Sequence, residues 1–211
     1  MVLSDSETAA ARIVELLGSA RSGLGSAAVL RGDPGIGKSA LLGYAVERAE
    51  GFKVMRCRGR NGETGVSGVR ELFEQVQDPL EILAEPHAEI LGRALTLGRQ
   101  AVDPYLVGIS MVTLLGALAR ERPLLVVADD VQWLDLSTVE YLAFAARRLT
   151  SAPIALLLAH EDPIGPMLRG LPHIHLTEPI ELPVPAAEPT APARAYESPA
   201  PVKSRAGRRS A

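Results

Sequence analysis

The sequence predicts a three-layer α/β domain built on a mainly parallel sheet with helices on both faces. Three observations predict it. The segments Ser26–Arg31, Pro123–Ala128 and Pro153–Ala159 are short and almost wholly aliphatic, as strands covered on both faces are. Segments with apolar residues at helical spacing lie before and between them. A glycine-rich stretch, Gly32-Asp33-Pro34-Gly35-Ile36-Gly37-Lys38-Ser39, joins the first aliphatic run to a helical one.

Composition sets the limits. The 211 residues suffice for one large domain and little more. Hydrophobic residues make up 47% and aromatic ones only 4%, so the core must be aliphatic. A formal net charge of −3 carries no signature of nucleic-acid binding. The lone Cys57 rules out an internal disulfide, fits a reducing compartment, and reads as a small core residue at a strand end. No basic-then-apolar leader opens the sequence. The apolar run Tyr105–Ala119 is too short for a bilayer and is interrupted by Gly, Ser and Thr. The expected setting is the cytoplasm, without a membrane partner.

Residues 5–21 form the first helix. Ala10, Ile13, Val14, Leu16 and Leu17 share one stripe, and Asp5, Ser6 and Glu7 stand at its start. Ser26–Arg31 is the first strand, and Ser39–Arg48 is the helix after the glycine stretch. Phe52–Cys57 is the second strand. Gly59–Gly68, rich in Gly and polar residues, is a loop at the same sheet edge as the glycine stretch. Val69–Gln77 and Leu80–Leu97 read as helices, the second with an interruption at Pro86, and Pro104–Arg120 as another. Pro123–Asp129 is a strand, Ser137–Leu149 a helix, Pro153–His160 a strand, and His173–Leu176 a last short strand.

The glycine stretch fits G-x-x-x-x-G-K-[ST] at every fixed position, between a strand and a helix. Without a Cβ at Gly32, Gly35 and Gly37, the backbone can curl and turn its N–H groups inward. Together with the N-terminal end of the next helix they form an anion site. Pro34 stiffens the loop by fixing one backbone angle. The candidate phosphate-binding residues are Gly32, Asp33, Pro34, Gly35, Ile36, Gly37, Lys38, Ser39 and Ala40. Lys38 brings a point charge to the β- and γ-phosphates, and the Ser39 hydroxyl is a Mg²⁺ ligand.

Two carboxylates, Asp129 and Asp130, follow the aliphatic run that begins at Pro123. Ligands of open α/β sheets bind at the C-terminal ends of strands. Asp129 is expected to hold Mg²⁺, directly or through water. Asp130 either orients or deprotonates an attacking water, or caps the following helix, and Asp135 reads as the cap. Adjacent carboxylates repel, and Mg²⁺ relieves that repulsion. His160 ends its strand at the same edge, either to sense the γ-phosphate or simply as a solvated strand end. His173 and His175 have no third ligand nearby for a metal site. Arg169 reads as a loop charge, and Arg147 and Arg148 as complements to a helix C-terminus.

Leu30–Leu42 (L-R-G-D-P-G-I-G-K-S-A-L-L) and Pro123–Asp135 (P-L-L-V-V-A-D-D-V-Q-W-L-D) together resemble the AAA/STAND-type ATPase domain of large LuxR-type bacterial transcriptional regulators. The Asp-Asp-x-x-Trp-x-Asp segment is the more family-specific part. The resemblance covers residues 5 to about 180. It implies a P-loop NTPase core that binds ATP and Mg²⁺, with nucleotide state controlling self-association. It departs at Leu3-Ser4-Asp5, where the family has Gly-Arg-[Asp/Glu], and at Asp130, where many related ATPases have Glu. The family continues with a helical lid, a repeat region and a DNA-binding helix-turn-helix that the sequence here does not match. DNA binding is therefore not carried over, and docking to a full-length relative remains an expected partnership.

Residues 1–178 are expected to form the ATPase domain. Residues 179–211, rich in Pro and Ala and ending in Lys203, Arg205, Arg208 and Arg209, read as a disordered tail with a basic end. The expected function is ATP binding with slow Mg-dependent hydrolysis, serving as a nucleotide switch. The alternatives are a nucleotide-binding interaction module without turnover and a small-molecule kinase. A kinase needs an Arg-rich lid, which Leu136–Leu176 does not supply.

Overall fold

The computed structural model describes residues 5–62, 64–97 and 102–180. Its elements in chain order are α1 (Asp5–Arg21), β1 (Ser26–Gly32), α2 (Lys38–Arg48), β2 (Lys53–Arg58), α3 (Ser67–Phe73), α4 (His87–Leu97), α5 (Pro104–Leu118), β3 (Leu124–Asp129), α6 (Leu136–Ala146), β4 (Ile154–Glu161) and β5 (His173–His175). The five strands form one sheet in the order β2-β3-β4-β1-β5, and every pairing is parallel.

The aliphatic runs explain the layering. Successive strand residues point to opposite faces, so a strand covered on both sides must be apolar at every position. In β3, Leu124, Val126 and Ala128 join the core under α3 to α6, while Leu125 and Val127 join the core under α1 and α2. In β4, Ile154, Leu156 and Leu158 face the first core, and Ala155, Leu157 and Ala159 face the second. Three layers result, as expected. Each fully buried Leu in these cores contributes about 1.5–3 kcal/mol relative to an exposed one. Cys57 is buried in the first core, as the sequence reading has it.

Several boundaries differ from expectation. The helix expected over 80–97 exists only as α4, with Pro86 immediately before it. A proline lacks the N–H that a helix interior needs but is tolerated at a helix start, so residues 80–86 take turns instead. α3 stops at Phe73 rather than Gln77. α6 stops at Ala146 and is followed by a 3-10 turn at Leu149–Ser151. At the far end, the Ile180 N–H donates to the Ile36 carbonyl (2.9 Å). The tail expected to be disordered lies, from residue 181 on, outside the described residues, as do Leu3 and Ser4. Among the described residues, no helix is long and apolar enough to cross a membrane.

The strand order places the site. From β1 the chain crosses to β2 at one edge, and from β4 it crosses to β5 at the other. Where successive connections diverge, a crevice opens beyond the C-terminal ends of the strands. Gly32, Arg58, Asp129 and Glu161 end β1, β2, β3 and β4 on that edge.

Candidate functional site

The phosphate-loop segment occupies the turn from β1 into α2. Gly32 ends β1, Asp33, Pro34 and Gly35 are exposed, Ile36 is buried, and Ser39 and Ala40 are exposed in the first turn of α2. Gly37 is the residue before the helix, with φ 110, a left-handed conformation that disfavours any residue with a Cβ. Space forbids one too, since a Cβ there would lie 2.6 Å from the Cβ of Ile180. The first N–H groups of α2 have no acceptor within the helix and carry the positive end of its dipole. Lys38 is 6% exposed. Its Nζ donates to the carbonyl oxygens of Gly32 (2.9 Å) and Asp33 (2.8 Å), holding the ammonium inside the loop.

Asp129 and Asp130 stand across this edge at the end of β3. The N–H of Asp130 donates to Asp129 Oδ1 (2.9 Å). Asp130 has φ 50 and ψ 45, a left-handed conformation uncommon outside glycine that asparagine and aspartate tolerate best. That bend turns its carboxylate to Arg58, whose Nε donates to Oδ2 at 2.9 Å and whose terminal nitrogen lies 2.8 Å from the same oxygen. Arg58 ends β2 in register with Asp129. The hydrogen bond and charge of Asp130, then the charge of Asp129, hold the Arg58 guanidinium pKa above its already high ordinary value, against a small opposing effect of burial. Asp130 makes no side-chain capping bond, which removes the cap reading for it.

Ser39 and Asp129 line one cavity of about 230 Å³, together with Arg58 and Glu71. A hydroxyl and a carboxylate are hard oxygen donors of the kind Mg²⁺ takes, so these two residues fit that ion. Glu71 accepts from the Arg58 N–H (3.2 Å) and pairs with Arg60 (3.4 Å). Among the described residues there is no cluster of three or more His, Cys, Asp or Glu that could hold a metal on its own.

The segment between the Asp pair and α6 is tightly held. Gly59 donates its N–H to the Asp129 carbonyl (2.9 Å). A Cβ on Gly59 would fall 2.3 Å from the Asp130 carbonyl oxygen and 2.6 Å from the Leu134 nitrogen. Asp135, 5% exposed, is the N-cap of α6 and accepts from the Thr138 N–H at 2.9 Å. It also accepts from the Thr138 hydroxyl (2.6 Å), the Ser67 hydroxyl (3.1 Å) and the Gly68 N–H (3.2 Å), so one carboxylate ties the start of α3 to the start of α6.

The remaining candidates sort differently. His160 is 9% exposed and its Nδ1 contacts the Glu161 carbonyl, so it is not a solvated strand end. His173 and His175 turn to different partners, the Arg169 carbonyl (3.3 Å) and Asp162 (3.3 Å). Arg147 donates to the Ala143 carbonyl in the last turn of α6 (3.1 Å), the expected complement to a helix end. Arg148 instead stacks over Phe144, 3.6 Å from the ring centre.

Sequence reasoning missed Arg58, Gly59 and Glu71. The available signal was positional: Arg58 and Gly59 directly follow an aliphatic strand, on the edge where the phosphate loop was already placed.

No curated protein sequence matches the chain. Among solved structures, it is similar to the Aeropyrum pernix ORC1 protein in complex with DNA (20% identity, TM-score 0.48, 83% of this chain and 46% of that one). It is also similar to Drosophila ORC bound to DNA (13%, 0.44, 82% and 44%) and to C. elegans PCH-2 (12%, 0.42, 82% and 43%). The chain thus spans less than half the length of each. The family profile described as AAA ATPase domain matches residues 6–158, from α1 through the phosphate loop and the Asp pair into β4. The chain belongs to the AAA ATPase domain family.

Proposed function

We propose that the chain binds ATP with Mg²⁺ at the C-terminal edge of its sheet, hydrolyses it slowly, and acts as a nucleotide switch within a regulatory protein of the LuxR type. The observation that carries this reading is the convergence of Lys38, Ser39, Asp129 and Asp130 on one edge, with Ser39 and Asp129 lining the same cavity. The backbone from Gly32 to Ala40 grips the phosphates. Lys38 exchanges its carbonyl acceptors for phosphate oxygens and offsets their charge as the terminal phosphoryl leaves. Ser39 and Asp129 would hold Mg²⁺, which would supply positive charge to the phosphates. Asp130 orients the attacking water in line with the leaving oxygen and accepts its proton.

One observation favours a second reading, in which nucleotide is bound without turnover. Asp130 Oδ2 already accepts from the Arg58 guanidinium, so the arginine occupies the oxygen that an attacking water would use.

Calorimetry with Mg·ATP on the whole chain, followed by phosphate release on the same sample, separates the two. Micromolar binding with slow release supports the switch, binding without release supports the non-hydrolysing module, and no binding by a folded sample refutes both. Lys38→Ala should abolish tight binding, and an unchanged affinity would contradict its assignment.

A further inference from the structure

A cavity of about 490 Å³ lies at the opposite end of the sheet from the phosphate loop. It opens beside Ser26, Ala27 and Ala28, at the start of β1. Arg12 and Leu16 of α1 wall it on one face of the sheet, and Ala146 and Arg147 at the end of α6 on the other. About 20 Å of strand separates Ser26 from Gly32, so the cavity is distinct from the nucleotide site.

The edge of the sheet is unfinished there. The Val29 N–H donates to the Pro172 carbonyl (2.9 Å), and the Arg31 carbonyl accepts from the Leu176 N–H (2.8 Å). Alternate residues of a strand turn their backbone groups to the same side, so those of Ala27 also face the β5 side. β5 begins opposite Val29, and the residue in line to donate to the Ala27 carbonyl is Pro172, which has no N–H. Among the described residues, no backbone group pairs with Ala27 on that side. Its N–H and C=O are left to whatever fills the cavity that Ala27 lines.

The side chains set the charge. Arg12, Arg147 and His173 line the cavity, and no carboxylate among the described residues does. Arg12 is paired with Glu15 (2.7 Å), whereas Arg147 donates only to the uncharged carbonyls of Ala143 and Met167. The Arg147 guanidinium keeps further N–H donors for an anion. Leu16, Leu171 and Ile174 supply an apolar wall.

We propose that this cavity binds an N-acylated amino acid with a free carboxylate and an apolar side chain. The N–H and C=O of one strand residue point the same way and match the N–H and carboxylate of one such ligand residue. The ligand N–H donates to the Ala27 carbonyl. Its carboxylate accepts from the Ala27 N–H and from Arg147, a charge-assisted bond, and its side chain lies against the leucines. A longer peptide strand is the poorer fit, because Ala27 is the one residue of β1 left open: Gly25 before it donates to the Thr150 carbonyl, and β5 takes Val29 onward. The site does not depend on nucleotide binding.

The test uses the whole chain labelled with ¹⁵N, titrated with N-acetyl-L-leucine and watched by NMR at the Ala27 amide. The resonance should shift and saturate, with a dissociation constant of about 1 mM or tighter. The methyl ester of the same compound, which lacks the charge, and 4-methylpentanoate, which lacks the N–H, should each bind roughly tenfold more weakly. Arg147→Gln should weaken the acid roughly tenfold while leaving the ester unchanged, and Arg147→Lys should restore most of the loss. Absence of a shift at Ala27 overturns the proposal, as does equal binding of acid and ester. Shifts confined to Gly35 and Gly37 would place the carboxylate in the phosphate loop and overturn it too. The comparison of acid with ester needs no variant, so it decides the matter even if Arg147→Gln fails to fold.

Discussion

Arg58 and Asp130, 72 residues apart in the chain, meet as an ion pair of 2.8 Å at the C-terminal edge of the sheet. The pair joins the end of β2 to the turn after β3 and fixes the carboxylate expected to handle water. The Arg58 side chain is 62% exposed, so solvent screens the pair and it contributes only about 0.2–1 kcal/mol to folding. Under the proposed function its effect falls on chemistry more than on stability.

Arg58→Ala should therefore shift the urea midpoint little and raise the phosphate-release rate several-fold by freeing Asp130. Asp130→Asn should leave Mg·ATP affinity intact and stop release. If release persisted in Asp130→Asn, the base lies elsewhere. If Arg58→Ala slowed release, the arginine aids catalysis instead of restraining it.

The same pair fixes a pH expectation. The Arg58 pKa is raised in the folded state, so its stabilisation is complete at every pH below the unfolded value and is lost only in strong base. Between about pH 5 and 9 the guanidinium stays charged. Replacing Arg58 should leave the slope of stability against pH unchanged in that range, as thermal melts across it would show.

Asp135 should be the residue whose loss the fold tolerates least in this region. It is buried and accepts four hydrogen bonds, two of them from Thr138 and two from the start of α3. Asp135→Ala leaves those donors unpaired and removes a helix cap, a loss of about 2–4 kcal/mol by urea denaturation. A change below about 0.5 kcal/mol would mean that water replaces the carboxylate at little cost.

Gly37→Ala should weaken both folding and nucleotide binding. Holding an L-residue in the left-handed region costs about 1–2 kcal/mol, and the new methyl presses on Ile180 as well. Denaturation and Mg·ATP calorimetry on the same variant read the two effects, and an unaltered midpoint would show that the loop can relax.

Gly59→Ala should separate binding from turnover. Its methyl would displace the backbone of Asp130 and Leu134 but leave the phosphate loop alone. Nucleotide affinity should hold within a few-fold while phosphate release falls at least tenfold, about 1.4 kcal/mol in barrier height. A parallel loss of both would place the effect in the fold as a whole.

The sequence by itself determined the parts whose signals are local. The phosphate loop from Gly32 to Ser39 declares itself because glycine, lysine and serine chemistry is needed at a fixed spacing within one turn. The aliphatic strands around Val126 and Leu157 are legible because cover on both faces leaves no polar position. Asp135 was legible as a cap from its place just before a helix. The tertiary structure alone decided what depends on strand order and register. Arg58 meets Asp130 because β2 lies beside β3. Gln132 reaches Glu161 because β4 lies on the other side of β3. Ile180 presses on Gly37 because the chain after β5 returns across the phosphate loop. Aliphatic strands of equal length are nearly interchangeable as sequence patterns. Their order is set by packing between segments far apart in the chain, which no local pattern records.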